Sequence, residues 1–233
     1  MQARDGRHVE RVRVPAGNAC PVDGERGDED VFAHGPLLSF VFSFLHATIA
    51  WKRRFRAMCG VGRRSGMDGV EVVRLAAGDD MAAVARVYAR SWRHAYRGIV
   101  PQSYLDSLSE GFWQLGLEQS ADRTFIAHEG SEIVGVCTHG PARIEAFAGW
   151  GEIVSLYVLP ERAGRGIGLK LLDASLGALA AEGFERAYLW VLADNAPARA
   201  FYERRCFQLL ERENVDEIAG ELLREACYAK SLG

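Results

Sequence analysis

"LYVLPERAGRGIG", residues 156–168, decides how the rest of the chain is read. An apolar, strand-like run stops in three glycines and two arginines, and a helical pattern starts immediately behind them. Strand, glycine loop and helix in that order present free backbone N–H groups at a helix N-terminus, where those donors and the helix dipole favour an anion, above all a phosphate. Gly164, Gly166 and Gly168 let the backbone approach a ligand without interference from Cβ. Arg162 and Arg165 add charge beside them, and Ile167 opens the helix. A glycine-rich turn with solvated arginines is the plain alternative for such a loop taken alone. The P-loop pattern is absent, because Lys170 is followed by Leu171, and the glycines run G-x-G-x-G rather than G-x-G-x-x-G.

Around this loop the pattern is regular from Met67 onward. "VEVVRL" (70–75) predicts a strand, and "DDMAAVARVYARSWRHAY" predicts a helix with an acidic start and apolar positions Met81, Val84, Val87 and Tyr88. A second helical stretch is expected over about 101–119, and "TFIAHEGSEIVGVCTHGP" reads as a hairpin about Glu129-Gly130. "GEIVSLYVL" is a buried strand, Ile167–Glu182 a helix with Leu169, Leu172, Leu176 and Leu179 along one stripe, and "RAYLWVL" a further strand. Ala196–Arg205 is a helix, and "FQLLEREN" with "ELLREACYAK" closes the chain as paired strands. The order is mixed α/β over about 165 residues, with no internal repeat.

Residues 1–66 carry a formal charge of +4 and the remainder −7. An acidic body disfavours a broad nucleic-acid surface, which needs clustered cations, and suits a cationic acceptor better. Five cysteines without a C-x-x-C spacing fit reduced thiols in a cytoplasmic protein, and neither they nor the six histidines show metal-ligand spacing, so no metal is expected. Residues 1–35, with "DGERGDED", read as disordered. "PLLSFVFSFLHATIAW" (36–51) ahead of "KRRFR" is interrupted by His46 and falls short of the ~18–20 apolar residues of a spanning helix, which disfavours a membrane anchor. An anchor, an interfacial helix and a segment with no native role remain the three readings. The last is preferred, since a self-sufficient domain pattern starts at Met67. The expected division is therefore an N-terminal extension, 1–66, and one domain, 67–233.

"EIVSLYVLPERAGRGIGLKLL" resembles motif A of the GNAT superfamily, the acyl-CoA-dependent N-acyltransferases, with its [QR]-x-x-G-x-[GA] loop after the fourth strand. Gly166 and Gly168 occupy the two glycine positions, and Ala163 stands where the family has Gln or Arg, a departure that Arg162 or Arg165 would have to cover. "DNAPARAFYERRCF" (194–207) is similar to the family's N-x-x-[AS]-x-x-x-Y-x-x-x-G-F, with Cys206 in place of the glycine. "SWRHAYRGIVPQSYLDSL" (91–108) is similar to a W-x-x-x-Y-x-G-x-x-P segment of one subgroup. The resemblance covers roughly residues 70–230. It implies a mixed, mostly antiparallel central sheet flanked by helices, and a monomer or homodimer that binds acetyl-CoA through residues 162–168.

The same resemblance implies roles. An amine must lose a proton before or during attack on a thioester, and Glu152 is the candidate general base, with a plain surface carboxylate as the alternative. A bulge in the strand is expected to free the Leu156 amide for the developing oxyanion, while Val158 bonds the pantetheine arm. Tyr202 is the candidate acid for the leaving thiolate, or else a helix tyrosine that packs on the cofactor. Asn195 is a pantetheine contact or an ordinary helix cap. Trp92, Tyr96, Tyr104 and Trp150 are weaker candidates for an amine pocket, against a plain core role. The expected activity is acetyl transfer to a primary amine of a small molecule or peptide. A non-catalytic coenzyme-A-binding module, or an acetyltransferase of protein N-termini or aminoacyl-tRNA, is the competing reading.

Overall fold

The computed structural model describes residues 69–76 and 78–233. The expectations for residues 1–66, including the apolar segment 36–51, lie outside the described residues. The elements run β1 (Val70–Arg74), α1 (Met81–Ala95), α2 (Gln102–Ser107), α3 (Gly111–Ser120), β2 (Thr124–Glu129), β3 (Glu132–Pro141), β4 (Gly151–Val158), α4 (Ile167–Ala181), β5 (Arg186–Leu192), α5 (Ala196–Glu203), β6 (Gln208–Ile218) and β7 (Glu221–Ser231). They form one seven-stranded sheet in the order β1-β2-β3-β4-β5-β7-β6. Every neighbouring pair is antiparallel except β4 and β5, the two strands joined through α4. The fold is thus the mixed, mostly antiparallel sheet flanked by helices that the sequence predicts.

Helices cover both faces. Asp80 caps α1 by accepting from the Ala83 N–H, and α1 packs on the face that carries Thr138 and Ser155, both bonded to the Tyr88 hydroxyl. On the opposite face α4 sits close to the sheet. A Cβ on Gly135 would lie 2.8 Å from a Leu171 methyl group, and one on Gly151 would lie 2.8 Å from Leu179, so bare backbone is what admits that helix.

The helical stretch expected over 101–119 is two helices, broken at residues 108–110. Leu108 is extended (φ −68°, ψ 106°), and Arg93 of α1 donates to the carbonyls of Leu105 and Leu108, giving the C-terminal acceptors of α2 a partner outside the helix. Strand β6 runs on to Ile218, beyond the expected 214, because Ala219 and Gly220 close a two-residue hairpin turn with φ of 53° and 85°. At the end of α5, Cys206 is left-handed (φ 60°). Its N–H bonds the Glu203 carbonyl, and the Phe207 N–H bonds the Tyr202 carbonyl, which is a Schellman closure. The family pattern has glycine there because a left-handed turn costs a side-chain-bearing residue about 1 kcal/mol. Among the described residues no helix is long and apolar enough to cross a membrane.

Candidate active site

The site begins where β4 parts from β5. Their pairing consists of Gly151–Ala187 and Glu152–Tyr188 and goes no further. The Leu159 N–H bonds the Val134 carbonyl at 2.9 Å, which fixes the alternation of the β3–β4 ladder. With Leu156 opposite Cys137 and Val158 opposite Gly135, these two residues turn their backbone groups away from β3, toward the gap. The Val158 carbonyl accepts from Ser91 Oγ at 3.0 Å. The expected bulge is present, but it lies at Val154, where Thr138 faces Ser155 and His139 faces Ile153. It is the departure of β5 that frees Leu156.

Behind the strand, Gly164 and Gly166 both adopt φ +77°, and a methyl group at either would meet nothing within 4 Å. Gly166 is the N-cap of α4 and offers no capping side chain. The first helical bond is Lys170 N–H to the Gly166 carbonyl, so the N–H groups of Gly166, Ile167, Gly168 and Leu169 precede the helical ladder. Open space, glycine backbone and uncapped donors fit a phosphate group. A Cβ on Gly168 would make only ordinary contacts, 3.7 Å to Val158 and 3.8 Å to Phe201, so packing does not demand glycine there. The arginines are committed elsewhere: Arg162 pairs with Glu129 (2.8 Å) and Glu132 (3.0 Å), and Arg165 with Glu129 (2.5 Å). Their charge is balanced by the β2–β3 hairpin, which leaves the amides as the immediate donors.

Glu152 is 2% exposed. Its Oε2 accepts from the Arg143 backbone N–H (3.1 Å), Arg143 Nε (3.0 Å) and the Tyr188 hydroxyl (2.9 Å), and its Oε1 accepts from Arg143 Nη2 (2.7 Å). The surface-carboxylate alternative therefore does not describe it. Burial and the Glu152 charge hold the Tyr188 hydroxyl far above its ordinary pKa. One strand further, Glu225 of β7 is 3% exposed, with Asn214 Nδ2 donating to its Oε2 at 2.9 Å. Arg143, Tyr188 and Glu225 are absent from the sequence reading, since they reach Glu152 through a loop and through sheet pairing. The one local signal was a charged residue inside the apolar "EACYA".

Tyr202, in α5, is 9% exposed, and its hydroxyl makes no hydrogen bond among the described residues. Burial, then Cys137 and Tyr96, push its pKa well above the ordinary tyrosine value, which keeps the hydroxyl protonated. Asn195 is the N-cap of α5: its Oδ1 accepts from the Ala198 N–H at 3.2 Å, while its Nδ2 is unbonded among the described residues. The cap reading therefore holds for one end of this side chain.

The four aromatic candidates separate. Trp92, 1% exposed, packs on Tyr96 (centroids 4.8 Å) and Trp113 (5.2 Å) and is core. Tyr96 is buried as well, and its hydroxyl shares a hydrogen bond with that of Tyr157 at 3.2 Å. Tyr104 is half-buried on α2. Trp150 packs at a tilt against Phe147 (5.3 Å), and the Arg186 guanidinium lies 5.2 Å from its ring, so a protein cation already holds that face. A separate cavity of about 500 Å³, between α1 and the β2–β3 turn and lined by Asp80, Arg86, Arg90 and His128, is not this gap.

The sequence profile of the Acetyltransferase (GNAT) family matches residues 82–207, more than half of the chain. The chain belongs to the GNAT family. As a member of that family it is an acyltransferase. The uncharacterized N-acetyltransferase YuaI of Bacillus subtilis (strain 168) is 34% identical over 158 residues, 66% of this chain and 88% of YuaI. A mycothiol acetyltransferase of Clavibacter sepedonicus is 32% identical over 159 residues, 65% of this chain, and the GNAT chain spans 47% of that protein's length. Among solved structures, the PaiA N-acetyltransferase of Thermoplasma acidophilum in complex with coenzyme A shares the GNAT fold at a TM-score of 0.54 and 22% identity, covering 67% of this chain and 97% of that one.

Proposed function

We propose that this enzyme moves the acetyl group of acetyl-CoA onto the primary amine of a small molecule or peptide by direct attack of the neutral amine. One juxtaposition carries the reading: uncapped α4 amides over two left-handed glycines stand at the end of the same strand whose Leu156 and Val158 backbones face the β4–β5 gap. The bound thioester supplies an activated acetyl group. The amides of Gly164–Gly168 hold the diphosphate, while the Val158 N–H and Asn195 Nδ2 hold the pantetheine arm. The Leu156 N–H faces the carbonyl oxygen on which charge develops, where a fixed donor is worth about 3–4 kcal/mol. Tyr202 gives its proton to the departing sulfur. Glu152, held by Arg143 and Tyr188, presents Oε1 to the acceptor, and its carboxylate network draws off the amine's proton. The acidic body favours a cationic acceptor over tRNA.

Thiol release from acetyl-CoA, measured across alkylamines, amino acids and peptides, tests this reading. At least one amine class should accelerate release well above the amine-free rate. Binding of coenzyme A with no amine-dependent release from any class would leave a non-catalytic binding module instead.

A further inference from the structure

Glu225 is a second carboxyl on the acceptor side of the gap. Glu152 lies opposite Gly140, two residues from Thr138, and so on the face that α1 covers. Tyr188 pairs with Glu152, Leu192 follows four residues later on the same face, and Glu225 lies directly opposite Leu192. The bulge at Val154 absorbs one residue, so Leu156 lies three rungs beyond the last β4–β5 pair and Leu192 four, about 10 and 13 Å along the strands. Glu225 therefore stands within about one residue of the level of the Leu156 amide, across the opening and on the face of Glu152.

The groups around it come from five elements. Asn214 and Asp216 lie on β6, Arg143 on the β3–β4 loop, Glu152 on β4, Tyr96 at the end of α1 and Cys227 on β7. Arg143 is spent on Glu152 through two side-chain bonds and one from its backbone, so Glu225 has no guanidinium of its own. Its partner is a neutral amide, and its Oε1 makes no hydrogen bond among the described residues. Burial above all raises this carboxyl to about 8; the Asn214 hydrogen bond, next in size, and the Arg143 charge oppose it, and the charges of Asp216 and Glu152 add to it. The two carboxyls on this face differ: Glu152 is held in an ion pair with Arg143, and Glu225 is able to take and release a proton near neutral pH.

We propose that Glu225 is the proton acceptor for the ammonium form of the substrate, with Glu152 as the ionised carboxylate that orients it. This rests on the acetyl-transfer reading above. The acceptor arrives as R–NH3+; one N–H bond breaks, its proton passes to the Glu225 carboxylate and its electron pair stays on nitrogen. That pair forms the C–N bond as the C–S bond breaks. The sulfur takes the Tyr202 proton, and a second nitrogen proton restores Tyr202. Glu225 then loses its proton to solvent, so each turnover releases one proton net.

The test compares Glu225→Gln with wild type on two acceptors: the best strongly basic amine of the panel, and 2,2,2-trifluoroethylamine, which is already neutral near pH 7. The variant should lose about 100-fold in kcat with the basic amine, together with the rise of rate with pH, but less than about tenfold with trifluoroethylamine. Equal losses on both amines, or an unchanged pH profile, overturn the role of Glu225 while leaving acetyl transfer intact. No transfer by wild type to any amine is instead a failure of the underlying reading. Folding of the variant is favoured. A carboxyl raised by folding contributes stability below its unfolded pKa that is lost as pH rises through about 8, and the amide removes that decline. As an independent check, carbon-13 NMR of wild type labelled at glutamate carboxyls should show one titration near pH 8, and no carboxyl titrating between pH 6 and 9 overturns the proposal.

Discussion

Replacing Tyr202 by Phe is expected to lower kcat by about 100-fold or more, with acetyl-CoA binding changed only a few-fold and the melting temperature unchanged or raised. The reasoning starts from hydrogen bonding. The ring packs edge-on against Phe201 (5.3 Å) and Phe207 (5.6 Å), contacts that Phe preserves. The hydroxyl makes no hydrogen bond among the described residues, so its removal forfeits none and does not weaken the fold. Its raised pKa denies it a role as base at neutral pH and leaves it a donor. Steady-state thiol release and a thermal melt measured on the same preparation read both halves. Turnover within a few-fold of wild type would return Tyr202 to a packing role.

Arg143→Met is expected to destabilise the domain by about 3–5 kcal/mol, because it leaves the Glu152 charge buried with only neutral partners, the Tyr188 hydroxyl and the backbone N–H of residue 143. Glu152→Gln in the same background removes that charge and should recover at least half of the loss, since two neutral side chains replace an ion pair. Urea unfolding of the two single variants and the double variant gives the coupling directly. A loss below about 1 kcal/mol in Arg143→Met, with no recovery in the double variant, would mean that solvent rather than Arg143 balances Glu152.

How much of this was legible in the sequence follows from range. The strand, loop and helix around Gly164 and Gly166 are local, and glycine at a left-handed φ leaves its mark at the residue itself. The motif with Asn195 and Tyr202, carried by the single helix α5, is local as well, and Cys206 stands out because it occupies a turn that favours glycine. What sequence could not give are contacts made by pairing. Arg143 reaches Glu152, nine positions away, by folding back of the β3–β4 loop, and Glu225 comes near the level of Leu156 only through two strand registers. The arginines of the loop mislead for the same reason: their carboxylate partners sit 30 to 36 residues upstream, on the β2–β3 hairpin. The break between α2 and α3 depends on Arg93, a residue of another helix.

Everything proposed for the chemistry needs the diphosphate of the acyl carrier to dock on the amides at the start of α4. Calorimetric titration of coenzyme A and of pantetheine into the folded chain measures that step. One saturable site for coenzyme A, with pantetheine binding at least about 100-fold more weakly, is the predicted result. Equal affinity for the two, or no binding of coenzyme A, would contradict it.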